Sequence, residues 1–168
     1  SQIMPLPSIN IVWLKRDLRT QDHAPLAAAI EAGRPTLVLY CFEPHICHDA
    51  RHSDRHWRFV YESLKDLREQ GLGVVVQYAE VIHTLERIQR QFRVEQLFSH
   101  QETGHEPSFR RDQAVRKWCI ANEVAWLEFV QDGVIRGRKH RRGFKAHLEQ
   151  FRAQAPITID WKQLKTVD

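Results

Sequence analysis

Five short apolar runs, separated by stretches of helical periodicity, constrain this chain more than any other feature of it. Ile9 to Leu14, Thr36 to Phe42, Gly73 to Tyr78, Gln96 to Ser99 and Val124 to Val130 are rich in β-branched and large apolar residues. Uninterrupted runs of that length suit strands covered on both faces. Between the first two, Leu26, Ala27 and Ile30 share one helical face, with Asp22 expected as the N-cap and Gly33 as the stop. Ser53 is expected to cap the next helix, in which Trp57, Val60, Tyr61, Leu64 and Leu67 recur at helical spacing until Gly71 ends it. Val81, Leu85 and Ile88 predict a third helix. Pro107 suits the first turn of a fourth, whose Val115, Trp118 and Cys119 would face the core until Asn122. The order β-α-β-α-β-α-β-α-β predicts an α/β fold: a Rossmann-like, doubly wound, five-stranded parallel sheet with helices on both faces and strand order 3-2-1-4-5.

The chain has 168 residues, 42% of them hydrophobic and 27% charged, which suits one globular domain of ordinary composition. No run approaches the length of a membrane helix, about 18 apolar residues. The opening SQIMPLPS lacks the basic region and apolar core of an export signal, so the cytoplasm is the expected location. Cys41, Cys47 and Cys119 are odd in number and far apart, as befits reduced thiols rather than a disulfide framework. A net charge of +4 is compatible with a polyanionic partner without specifying one. The tail differs in kind, and the expected boundary lies between an α/β domain over 1–135 and a basic exit segment with a short helix over 136–168. Arg136, Arg138, Lys139, Arg141 and Arg142 crowd into that segment. They could lie along a phosphate backbone, but no aromatic residue is interleaved to stack on bases, and a solvated linker is the preferred reading.

In a doubly wound sheet, ligands bind beyond the carboxyl ends of the strands, where the strand order reverses. With order 3-2-1-4-5, that point lies between the first and fourth strands. Its walls would be Lys15 to Arg19 and His100 to Gly104, with Glu43 beside them. The first junction contains no glycine, which disfavours a pyrophosphate cradle. Cations (Lys15, Arg16, Arg19), carboxylates (Asp17, Glu43, Glu102) and small polar groups (Gln101, Thr103) suit a planar heteroaromatic ligand with amide and carboxylate edges better than a triphosphate. The architectural alternative is an internal ion pair between Asp17 and a flanking arginine that merely locks the loop. His45, Cys47, His48, His52 and His56 invite a metal reading, but they lack paired, convergent spacing and the cap at Ser53 splits them; no metal site is assigned. Cys119 reads as a packed thiol. With no nucleophile elbow, zinc-protease motif or Walker loop in the sequence, no catalytic residues are assigned.

The opening block INIVWLKRDLRTQDHAPL resembles the start of the DNA photolyase/cryptochrome family in Trp13, Lys15, Arg16, Asp17, Leu18, Arg19, Asp22, Pro25 and Leu26. The run RFVYESLKDLREQGLGVVVQYAE resembles the second helix and third strand of that family. LFSHQETGHEPSFRRDQAVRKW resembles its fourth-strand loop and Arg-Arg-Asp helix, through Glu102, Arg110, Arg111, Asp112 and Val115, and FVQDGVI resembles the end of its fifth strand. The resemblance implies an N-terminal α/β domain holding an antenna chromophore (a folate, deazaflavin or flavin). The partner domain it implies is helical, binds FAD and the damaged pyrimidine pair in DNA, and has no counterpart positions among these residues. The antenna-facing positions it implies are Arg16, Asp17, Cys41, Phe42, Glu43 and Glu102. It leaves open a cryptochrome-type photosensor, while the residues alone leave open a free-standing nucleotide-binding α/β domain.

Overall fold

The structure, a computed structural model, describes residues 5–43, 53–102 and 106–131. Its elements run β1 (Ser8–Leu14), α1 (Ala24–Ala32), β2 (Thr36–Phe42), α2 (Ser53–Glu69), β3 (Val74–Tyr78), α3 (Val81–Ile88), β4 (Arg93–His100), α4 (Glu106–Ala121) and β5 (Ala125–Phe129). The strands form one sheet in the order β3-β2-β1-β4-β5, and every neighbouring pair is parallel. That is the doubly wound sheet expected from the sequence.

Successive side chains of a strand point to opposite faces, and β1 divides accordingly. Ile9, Ile11 and Trp13 join Leu37, Leu39, Leu85 and Val115 in the core beneath α3 and α4. Val12 and Leu14 join Val38, Tyr40, Leu26 and Val60 in the core beneath α1 and α2. One buried polar residue interrupts the central strand: Asn10 donates from Nδ2 to Gln96 on β4 and accepts from Arg34, so its amide is satisfied. The β1–β4 register shifts beside it, between Ile9 and Asn10.

Several local expectations change. Asp22 does not cap α1; it adopts a left-handed φ of 51°, and the extended residue before the helix is His23, whose Nδ1 accepts from the Leu26 N–H at 3.1 Å. An imidazole nitrogen therefore takes the place of the usual carboxylate or hydroxyl oxygen. Gly33 ends α1 as expected, at a left-handed φ of 73°. On α2, Val60 and Leu67 are buried, but Tyr61 is 68% exposed, because it lies one residue, about 100°, round the helix from Val60. β3 is an edge strand and is half-buried rather than buried. β4 begins at Arg93, earlier than the apolar run that marks it, because it is a central strand paired on both sides. The expected boundary at residue 135, the 136–168 segment with its basic cluster, and the candidate ligands His45, Cys47, His48 and His52 lie outside the described residues. No helix of the described residues is long and apolar enough to cross a membrane.

Candidate functional site

At the carboxyl ends of β1 and β4, the backbone leaves the sheet through Asp17, and this carboxylate organises the seam between the strands. Asp17 is fully buried. Its Oδ1 accepts the Lys15 backbone N–H at 2.7 Å. Its Oδ2 lies 2.6 Å from His23 Nε2 and 2.6 Å from His100 Nδ1. These donors hold the carboxyl group well below the usual carboxylate range, against the opposing effect of burial. Burial in turn lowers the His23 pKa. Since Nδ1 of His23 accepts from Leu26, a neutral ring carries its proton on Nε2, the nitrogen that faces Asp17 at 2.6 Å.

Three potential ligand atoms, from Asp17, His23 and His100, lie within 4.8 Å of one another. Their chemistry does not suit a metal, because the His23 nitrogen facing Asp17 bears a proton and has no lone pair to offer. The group is a hydrogen-bonded clamp joining β1, β4 and the start of α1. Asp17 is thus locked internally, as the architectural reading foresaw, but by two histidines rather than by a flanking arginine.

Arg19 stays on the α1 side, donating to the backbone carbonyls of Gln21 and Asp22, while Arg16, Glu43, Glu102 and Arg111 gather on the α3/α4 side. Arg111, in the second turn of α4, donates from Nη1 to Glu43 at 3.1 Å, from Nη2 to Glu102 and from Nε to Asp112 at 3.0 Å. Its guanidinium also lies 4.8 Å from the centre of the Trp13 ring. Arg16 is 69% exposed and reaches the other oxygen of Glu102 at 3.2 Å. Glu43 accepts the Val81 N–H at 3.1 Å and so caps α3 from a distance. Burial pushes its carboxyl up to about 7, although Arg111 and the Val81 N–H both favour the ionised form. The surrounding carboxylates hold the Arg111 guanidinium firmly charged against its own burial.

Of the six expected positions, Arg16, Glu43 and Glu102 therefore converge, with Arg111 as their hub. Cys41 lies in the same core as Trp13, with its thiol 3.6 Å from Thr84 Oγ1 and its pKa raised by burial. Phe42 points to the opposite face and stacks on Trp57 at 3.8 Å between ring centroids. Neither Arg111 nor His23 was assigned a site role from the sequence. Helical phase carries the signal for Arg111, since it precedes Val115 and Trp118 by four and seven residues on the core face of α4. Nothing in the sequence around His23 signals its role. A groove of about 300 Å³, lined in part by Pro5, Phe92, Trp118 and Asn122, lies at the other end of the sheet, remote from this chemistry.

Comparisons with known proteins agree with the architecture. The sequence model described as DNA photolyase matches residues 10–153. Cryptochrome DASH of Synechocystis is 26% identical over 110 residues, covering 60% of this chain and 22% of that protein. The deoxyribodipyrimidine photo-lyase of Vibrio cholerae is 21% identical over 135 residues, covering 76% of this chain and 29% of that protein. The chain thus spans less than a third of the length of these relatives. Among solved structures, a Synechocystis cryptochrome superposes with a TM-score of 0.66 at 20% identity, covering 76% of this chain and 28% of that one. A class III photolyase from Agrobacterium tumefaciens gives 0.53 at 17% identity, covering 82% and 30%.

Proposed function

The chain belongs to the DNA photolyase family, and on that premise we propose that it forms the antenna-binding unit of a photolyase-like protein serving light-dependent repair of pyrimidine dimers in DNA. The observation that carries this reading is the convergence of Arg16, Glu43 and Glu102 around Arg111, beside the switch point where doubly wound sheets take ligands. This donor and acceptor set suits the amide and carbonyl edges of a folate, deazaflavin or flavin. Such a chromophore would absorb light and pass on the excitation; the residues described here would bind and orient it. Asp17 and Cys41, both buried, would support the site from beneath, whereas Phe42 lies on the other face of the sheet. FAD, the lesion site and contact with DNA are assigned to the longer arrangement of the family, in a cytoplasmic protein.

The name cryptochrome DASH among the curated relatives favours a second reading, in which the same unit serves a photosensor. A free-standing nucleotide binder is supported less well, because no glycine-rich phosphate loop follows β1.

The test is the melting temperature of the chain mixed separately with a reduced folate, a deazaflavin, FMN and ATP. A ligand at about 100 times its Kd stabilises the folded state by about 2.7 kcal/mol, and one of the three chromophores is expected to raise the melting temperature. Stabilisation by ATP alone overturns the antenna reading. Arg16→Ala is expected to abolish chromophore retention while unfolding stays cooperative, since an exposed ion pair contributes no more than about 1 kcal/mol.

A further inference from the structure

Lys15 carries a buried donor group whose hydrogen-bonding needs are left unmet among the described residues. Its side chain is 3% exposed, and its Nζ has no hydrogen-bond partner among the described residues. The nearest carboxylate oxygen, on Asp112, stands 3.7 Å away, beyond hydrogen-bonding distance. The ammonium sits 4.3 Å from the centre of the Trp13 ring and 5.9 Å from that of Trp126. The ring faces stabilise the charge but leave its three N–H donors without acceptors.

The neighbouring arginine engages the carboxylates around it. Glu43, Glu102 and Asp112 all accept from Arg111, and the Asp112 oxygen that Arg111 leaves free stands too far from Lys15 to accept from it. A buried donor left without an acceptor is costly, and the cost is removed when a ligand supplies the acceptor.

Resting on the reading of this crevice as a chromophore site, we propose that Lys15 is its specificity-determining donor, recognising an electron-rich oxygen of the ligand. Two parts of a chromophore carry such an oxygen: the ring carbonyl of its pyrimidinone edge, and an anionic tail.

The experiment measures binding of riboflavin, FMN, a tetrahydropterin without the p-aminobenzoate and the corresponding glutamate-bearing tetrahydrofolate to the full chain and to Lys15→Met. The variant keeps a long, flexible side chain and removes the charge. Lys15→Met is expected to melt no lower than the wild type without ligand, and to bind at least tenfold more weakly. An equal loss for riboflavin and FMN, or for pterin and folate, places the oxygen on the ring. A loss confined to the tailed member of each pair places it on the tail. If the wild type binds a probe and Lys15→Met binds it equally well, Lys15 is not the donor, although the chromophore site stands. If the wild type binds none of the four, both readings fall. Should Lys15→Met fail to fold, the ¹⁵N–¹H signal of the Lys15 ammonium in the wild type decides: movement on adding a bound probe supports the proposal, and no movement overturns it.

Discussion

Asp17 has no exposed surface, and its two oxygens are shared among a backbone N–H and two imidazoles. Its importance is legible in the sequence as an acidic residue just past a buried strand. Its partners are not, because they stand 6 and 83 residues further on and only the fold brings them together. His23 serves two groups at once, capping α1 through Nδ1 and packing Nε2 against Asp17 at 2.6 Å. Protonation would give Nδ1 a hydrogen pointing at the Leu26 N–H, so the folded state favours the neutral ring. His23→Ala should therefore cost about 1–3 kcal/mol, combining a lost cap with a lost donor to a buried carboxylate. The pH dependence carries a further signature. A histidine whose pKa is lowered from 6.5 contributes stability that is present above 6.5 and lost as pH falls through the folded value. Glu43, raised from 4.5 to about 7, acts in the opposite sense: its contribution is present below 4.5 and lost as pH rises through about 7. The two slopes oppose each other in the wild type. Urea denaturation of His23→Ala between pH 4.5 and about 7 should expose the Glu43 slope, with stability falling more steeply as pH rises than in the wild type.

The elements were legible wherever one physical requirement dominated. β2 spans Thr36–Phe42 as read from its unbroken apolar run, and Gly33 closes α1 because its left-handed backbone favours glycine. Reading failed where pattern and environment part company. Arg93, Glu95 and Gln96 mask the first half of β4, yet pairing on both sides keeps it a strand. Val74 to Tyr78 reads as a buried strand by composition but is only half-buried, because it lies at the edge where the expected order put it. That difference has an energetic counterpart. Leu39, fully buried in β2, should lose about 2–5 kcal/mol when changed to Ala. Val75, its half-buried register partner on β3, should lose distinctly less in the same chemical-denaturation experiment.

Across the whole molecule, topology was the most legible property and the working details of the site the least. Alternation of strands and helices restricts the sheet to a few parallel arrangements, and the observed strand order is the expected one. The convergence of Arg16, Glu43 and Glu102 follows from that order. The hub at Arg111 and the unmet needs of Lys15 depend on side-chain packing that no strand order specifies. A sheet built outward from β1 and β4 should also open from its margins. Native-state hydrogen exchange is expected to be slowest in β1, β4 and β2 and faster in β3 and β5, since local opening follows burial. Uniform protection across all five strands would contradict that gradient.

For the proposed chromophore, the clamp at Asp17 would have an optical consequence. By stitching β1 to β4 on the α1 side, it leaves Arg111 and its carboxylate partners on the opposite flank of the sheet. A pigment gripped there would lie off the sheet's midline in a single orientation, and its emission would stay polarised until the whole molecule tumbled.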